Sequence, residues 1–101
     1  MIITRWQAPT FPSIDQAKII FENEGLEPKL ESYEANTKIR EQKNPFGESR
    51  WILSGEMLYN IGGNQFVLRQ GDRLEIPANT KHSFGVFGTV PCTTVSGYRI
   101  P

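Results

Sequence analysis

The chain has 101 residues, which suits one domain and leaves no room for a second. Eleven basic residues balance eleven acidic ones, whereas a surface that binds nucleic acid is normally basic, so nucleic acid is not an expected partner. No apolar run is long enough to cross a bilayer, so a membrane is not an expected partner either.

The N-terminal residues have neither an extended apolar core nor a small-residue cleavage site, so they do not predict a signal peptide. The single cysteine, Cys92, cannot form a disulfide within the chain and is most simply a buried apolar residue. We therefore expect a cytoplasmic protein. Its net charge of zero favours self-association, which is consistent with a homodimer.

Residues 13–24 predict a short helix. Ser13 can cap its N-terminus while Gln16 bonds back to the cap, which gives the S-x-x-Q form of a capping box. Gly25 supplies the C-terminal stop. The apolar positions at helical spacing are Ile14, Ala17, Ile20 and Phe21. We expect this helix to lie against the outside of the β structure that follows.

After Gly25 the pattern changes to short β-branched and aromatic stretches separated by Gly, Asn, Asp and Pro. The predicted strands are 28–33, 37–43, 48–54, 56–61, 65–69, 73–76, 82–87 and 92–100. Residues 61–64 (IGGN) predict a hairpin turn, and residues 70–72 (QGD) predict a second tight turn. Strands at this spacing form a sandwich or a closed barrel, and periodicity does not separate the two.

Large apolar residues on these strands form the expected core and sheet-packing set. They are Trp51, Leu53, Leu58, Phe66, Phe84 and Phe87. Trp6, which precedes the helix, is expected to pack either on the barrel or on a second subunit.

The stretch 71–82 reads GDRLEIPANTKH and matches the pattern G-D-x4-P-x4-H. Gly71 permits a turn conformation that a Cβ would disfavour, and Asp72 can accept hydrogen bonds within its own turn. Pro77 has no amide hydrogen to donate and belongs at a strand end. His82 then begins the next strand. This stretch resembles the second sequence motif of the cupin family.

The first cupin motif has the form G-x5-H-x-H-x3,4-E-x6-G, and this chain matches its second half through Glu48 and Gly55. The two histidine positions fall on Gln42 and Asn44. The leading glycine position falls on Asn36, which can also adopt a left-handed turn. With its leading helix, the chain resembles small bacterial single-domain cupins over nearly its whole length. The resemblance implies an all-β, cupin-type barrel (double-stranded β-helix, or jelly roll) behind a short N-terminal helix, as one domain over 1–101.

A metal-binding cupin holds Mn, Fe, Ni, Cu or Zn with three histidines and a glutamate inside the barrel. Carried over by position, the resemblance implies a reduced ligand set of Gln42, Glu48 and His82, with Asn44 at the remaining position. Amide oxygens are weaker ligands than imidazoles for the later divalent metals, so the sequence favours a barrel without such a metal.

Side chains alternate across a strand, so Arg50 and Ile52 should share the interior with Glu48. Lys38 and Arg40 should likewise share it with Gln42, provided that no bulge intervenes. The expected ligand pocket then consists of Arg40, Gln42, Asn44, Glu48, Arg50 and His82. Such a pocket favours a carboxylate or phosphate over a metal ion. Alternatively, the long cationic side chains lie along the rim with their heads in water.

Two functions of different class follow from this pattern. The first is a non-catalytic or sensor-like cupin that binds a small polar or anionic molecule. The second is a metal-dependent cupin enzyme, an oxygenase or an isomerase. The chain has one histidine and no nucleophile-elbow pattern, so no catalytic residue is predicted.

Overall fold

The computed structural model describes residues 1–99, and within them the chain forms one helix and nine strands. The helix α1 spans Ile14–Asn23. The strands are β1 (Ile2–Thr4), β2 (Lys29–Tyr33), β3 (Lys38–Gln42), β4 (Gly47–Ser54), β5 (Glu56–Ile61), β6 (Asn64–Leu68), β7 (Arg73–Ile76), β8 (His82–Phe87) and β9 (Cys92–Arg99). The last position of the predicted strand 92–100 lies outside the described residues.

The strands form two antiparallel sheets. The order is β1-β7-β4-β9-β2 in the first sheet and β3-β8-β5-β6 in the second. Apolar residues from both sheets meet in one buried cluster, which places the sheets face to face. The prediction of an all-β barrel with a short N-terminal helix is confirmed.

The strand β4 has both faces buried, and the two faces have different neighbours. Ile52 belongs to the cluster between the sheets. Trp51 and Leu53 belong to a second cluster with Phe21 of α1 and with Val95 of β9. The helix therefore covers the outer face of the first sheet, and β4 positions alternate residues in the interior and under the helix.

The local features at both ends of the helix agree with the sequence. The Oγ of Ser13 accepts from the backbone N–H of Gln16 at 3.1 Å, and the Gln16 side chain accepts from the N–H of Ser13 at 2.9 Å. Gly25 follows with a φ of 80°. The capping box and the glycine stop are both confirmed.

The motif positions also adopt the conformations that their residue types suggest. Gly71 has a φ of 91°, and a Cβ there would overlap the indole of Trp6. Gly55 has a φ of 75°, and a Cβ there would collide with the backbone of Pro91. Asn36, at the position of the motif's leading glycine, adopts the left-handed conformation with a φ of 69°, as its residue type allows.

Three features differ from the expectation. Strand β1 is not predicted by the sequence, since its three residues are too few to show a period and it exists by pairing with β7. Phe87 is 45% exposed at the end of β8 and does not belong to the core. Leu58 is half-buried on the outer side of the second sheet and belongs to neither buried cluster. Trp6 packs on the barrel, where its ring centroid lies 6.1 Å from that of Trp51.

Candidate functional site in the barrel interior

A small cavity of about 140 Å³ opens at one part of the barrel interior. Strands of both sheets line it, and most of the lining residues are polar. They are Glu27, Lys29, Glu31, Tyr33, Gln42, Glu48, Arg50, Phe84, Ser96, Gly97 and Tyr98. Charged side chains are rarely fully buried unless they are paired, so the buried Glu48 and Arg50 distinguish this part of the interior.

Arg50 of β4 is the central cation of this cavity and is 4% exposed. Its Nη1 donates to Thr94 Oγ1 at 2.9 Å and to the Tyr33 hydroxyl at 3.2 Å. The same nitrogen lies 3.3 Å from Glu31 Oε1. The guanidinium also stacks over the ring of Phe84, with Cζ 4.9 Å from the centroid. These contacts hold the charged group rigidly inside the protein.

The charge of Arg50 is maintained despite its burial. Burial on its own lowers the pKa of the guanidinium, but its electrostatic interactions with Tyr59 and Glu48 outweigh this effect, so the net direction is upward. The same burial raises the pKa of the Tyr59 phenol well above its usual value. At neutral pH Arg50 in the cavity is therefore cationic, and Tyr59 in the adjoining core is neutral.

Glu48 lies two residues before Arg50 on the same face of β4 and is 3% exposed. Its Oε2 is 3.8 Å from the Nε of Arg50, which is an ion-pair distance but too long for a hydrogen bond. Both of these atoms are buried without a hydrogen-bond partner among residues 1–99. The pair is therefore only partly satisfied.

His82 begins β8 and is 2% exposed. Its Nδ1 lies 2.9 Å from the carbonyl oxygen of Thr80. A carbonyl only accepts, so Nδ1 carries the proton in the neutral ring and Nε2 presents a lone pair. That Nε2 is buried without a partner among the described residues. The ring stacks on Tyr59 with centroids 6.3 Å apart.

Three further buried polar atoms have no hydrogen-bond partner within residues 1–99. They are the hydroxyl of Tyr59, the Nδ2 of Asn44 and, outside the barrel against α1, the Nε of Arg73. Tyr59 is fully buried in the core cluster. Native structures rarely leave such groups without a partner unless water or a ligand supplies it.

The structure does not place Arg40 in the pocket, and this part of the prediction is wrong. Asn44 and His82, also predicted for the pocket, are not among the residues that line the cavity. The register of β3 shifts between Ile39 and Gln42, so a bulge interrupts the alternation. Ile39 and Gln42 both face the interior. Arg40 is exposed and lines an open groove outside the second sheet together with Lys38. Two of the three expected cations therefore lie outside the barrel.

Several lining residues of the first sheet are absent from the predicted pocket. They are Glu31, Tyr33, Ser96 and Tyr98. They come from β2 and β9, which pair with each other from Lys29 to Tyr33. Alternation within each strand places these residues on one face. They lie beside Arg50 because β9 pairs with β4, and no local sequence pattern predicts that long-range pairing.

The donor set does not fit a divalent transition metal. Among residues 1–99 no group of three or more His, Cys, Asp or Glu side chains is arranged to hold a metal ion. The strongest oxygen donor, Glu48, already has the buried guanidinium of Arg50 at 3.8 Å. A second cation between Glu48 and His82 would be repelled by that fixed charge. Gln42 and Asn44 add only neutral amide groups.

A larger open cleft of about 760 Å³ lies outside the barrel between the N-terminal segment and β6. Its principal charged groups already have partners. Asp72 accepts from Arg5 at 2.7 Å, from the Trp6 backbone at 2.9 Å and from the Arg69 backbone at 2.9 Å. These bonds attach the N-terminal segment to the barrel, so we assign this cleft a structural role.

Fold and interior together define a two-sheet antiparallel β-barrel with a buried polar site. A family model described as Cupin domain matches residues 29–98, and the chain belongs to the cupin family. No curated protein matches the sequence. Within residues 1–99 the single helix is too short and too polar to cross a membrane.

Solved structures share this fold at low identity. The Cnp3 cupin domain of Schizosaccharomyces pombe matches with a TM-score of 0.70 and 12% identity, over 75% of this chain and 53% of that one. A cupin superfamily protein of Desulfitobacterium hafniense DCB-2 matches with 0.67 and 20%, over 75% and 68%. The DMSP lyase DddQ of Ruegeria pomeroyi DSS-3 matches with 0.67 and 21%, over 74% and 38%. The chain thus spans about half of the first protein and less of the lyase, and the likeness establishes the fold alone.

Proposed function

We propose that this cupin barrel binds a small polar molecule in its interior without catalysing a reaction on it. One observation carries the proposal. Two unpartnered buried polar atoms, Glu48 Oε2 and Arg50 Nε, belong to residues that line the cavity. The other such atoms among residues 1–99 belong to residues that do not line it; they are Tyr59 Oη, His82 Nε2, Asn44 Nδ2 and Arg73 Nε, the last of which lies outside the barrel against α1. Each such group costs free energy unless something satisfies it.

The size of the cavity limits the ligand. A volume of about 140 Å³ corresponds to roughly four or five water molecules at their share of liquid volume. A compound with a few heavy atoms fits this space, whereas a nucleotide or a sugar does not. The unpartnered atoms include both donors and acceptors, so the ligand must offer both kinds of group in return.

The charge of the lining revises the expected ligand. The anionic preference predicted from the sequence depended on three cations in the pocket, and two of them, Lys38 and Arg40, line a groove outside the barrel. The cavity is lined by three carboxylates, Glu27, Glu31 and Glu48, and by two cations, Lys29 and Arg50. A simple anion is therefore a less suitable ligand than a molecule without net negative charge.

The metal-dependent enzyme is the weaker candidate because of its donor set. Elemental analysis of protein purified without chelators or an affinity tag tests it directly. Stoichiometric Mn, Fe, Ni, Cu or Zn would overturn our assignment, whereas trace content would leave the binding proposal in place. The homodimer stays a prediction, and sedimentation velocity at micromolar concentration tests it.

A thermal-shift screen with a matched pair of variants tests the binding proposal. The panel contains acetate, lactate, glycine, β-alanine, urea, acetamide and glycerol. In the wild type, at least one compound should raise the melting temperature. Gln42→Ala removes a lining amide, so the dissociation constant should rise roughly three- to tenfold, as expected for one lost hydrogen bond.

Arg40→Ala is the matched control, because Arg40 lies on the same strand but outside the barrel. It should bind the compound as the wild type does. Equal weakening by both variants, or the absence of any stabilising compound, would contradict a binding site in the interior.

A further inference from the structure

We propose that the ligand is a small zwitterion with a cationic and an anionic group one or two carbon atoms apart. This inference rests on the proposed binding function and names the chemical class for that same cavity. It is carried by two buried, oppositely charged atoms that lie next to each other and have no hydrogen-bond partner. They are Glu48 Oε2 and Arg50 Nε.

Glu48 provides the position for the cationic group. The half-buried carboxylate of Glu31 already accepts from Ser96 Oγ at 2.6 Å and lies 3.3 Å from Arg50 Nη1. Glu48 has no such hydrogen bond at its Oε2, although it is the more deeply buried of the two. An ammonium group of a ligand supplies the donors that this oxygen lacks.

Arg50 provides the position for the anionic group. Its two hydrogen bonds to residues 1–99 both leave from Nη1. The edge formed by Nε and Nη2 is the one that a carboxylate binds as a fork. Nε is buried without a partner on this edge.

The short distance between the two atoms favours a ligand that carries both a positive and a negative charge. Oε2 and Nε are 3.8 Å apart. An isolated anion bound to Arg50 would lie against the Glu48 carboxylate, and an isolated cation at Glu48 would lie against the guanidinium. Each would therefore meet a like charge in a site with little water to screen it. A zwitterion places an opposite charge at both positions.

A series of four compounds of similar size tests the inference on the unmodified protein. The series is β-alanine, propionate, propylamine and propionamide, which carry both charges, the negative charge alone, the positive charge alone and no charge. Binding is measured by thermal shift and by isothermal titration calorimetry at neutral pH. β-Alanine should bind at least tenfold more tightly than each of the other three.

The outcomes separate this inference from the binding function. Equal or tighter binding of propionate, propylamine or propionamide would overturn the zwitterion and leave the binding function intact. The same holds if only a neutral or singly charged compound of the wider panel binds. If glycine alone binds, it supports the zwitterion, because it also carries both charges. If no compound binds at all, both the inference and the proposed function are wrong.

An isosteric pair of variants locates the site. Glu48→Gln removes the charge that attracts the ammonium group, so the preference for β-alanine over propionate should fall at least fivefold. Glu41→Gln is the control, since Glu41 is exposed on the outer side of β3. An unchanged preference in Glu48→Gln would overturn the assignment of Glu48.

Discussion

The barrel interior has an apolar part and a polar part, and β4 passes through both. In the apolar part Ile52 packs with fully buried residues such as Met57, Leu68 and Leu74. In the polar part Glu48 and Arg50 lie on the same face of the strand, beside groups that have no partner. The step of two residues from Ile52 to Arg50 thus leads from closely packed apolar side chains to polar side chains that lack hydrogen-bond partners.

The difference between the two parts indicates which residues stabilise this small domain and which form the proposed binding site. The apolar part follows the rule that cores are filled with well-packed apolar residues. The polar part departs from that rule, and such departures are expected at functional sites, where stability is given up for a site that a ligand completes. Variants in the two parts should therefore respond differently to ligand.

The largest effect is expected at Arg50. Arg50→Met leaves the Glu48 carboxylate buried without its cation, which should lower the free energy of unfolding by about 3–5 kcal/mol. Glu48→Gln in the same background removes that charge, so the double variant should be more stable than Arg50→Met alone. Urea denaturation followed by tryptophan fluorescence measures both values. Additive losses in the double variant would show that the two groups are not coupled.

Leu68→Ala should produce a comparable or slightly smaller loss in the apolar part. Leu68 is fully buried, and truncation to alanine should cost about 2–5 kcal/mol through lost burial and a residual cavity. Affinity for a ligand of the proposed site should stay at the wild-type value, because the lining of that cavity does not include this residue. A change in affinity as large as that of Gln42→Ala would remove the distinction between the two parts.

Glu31 should give a smaller, pH-dependent effect. Burial alone raises the pKa of this carboxyl, but the hydrogen bond from Ser96 and the charge of Arg50 outweigh it, so the pKa lies below 4.5. A lowered pKa in the folded state means that the ionised group stabilises the protein above pH 4.5 and that this contribution is lost as the pH falls further. The stability difference between the wild type and Glu31→Gln should therefore shrink on acidification below pH 4.5. A difference that is constant between pH 7 and pH 3 would contradict it.

The sequence predicts the helix, most strands and the turns well, because their signals are local, whereas the choice of a barrel over a sandwich depends on the resemblance to the cupin motifs. The Ser13 cap, the turns at Gly62 and Gly71 and the left-handed Asn36 each depend on a few neighbouring residues, and each adopts the predicted geometry. Strand β1 carries no such signal, and only its pairing with β7 creates it.

The site is only partly predictable, for two physical reasons. Alternation correctly groups Glu48 with Arg50, but it fails in β3, where one bulge turns Arg40 outward and keeps Gln42 inward. Glu31 and Ser96 reach Arg50 through strand pairings that join distant segments, and neither period nor spacing encodes those pairings.

The smallest effect is expected at Tyr59, and it has the opposite sign from the others. The Tyr59 hydroxyl is buried without a partner among residues 1–99. Removing an unsatisfied group also removes its desolvation cost, so Tyr59→Phe should leave the free energy of unfolding unchanged or raise it by up to about 1 kcal/mol. The matched control is Tyr33→Phe, which deletes a hydroxyl that accepts from Arg50 at 3.2 Å and should cost about 0.5–1.5 kcal/mol. A loss of unfolding free energy in Tyr59→Phe as large as in Tyr33→Phe would mean that the Tyr59 hydroxyl has a hydrogen-bond partner in the ligand-free protein. At this position the polar part would then need no ligand to satisfy it.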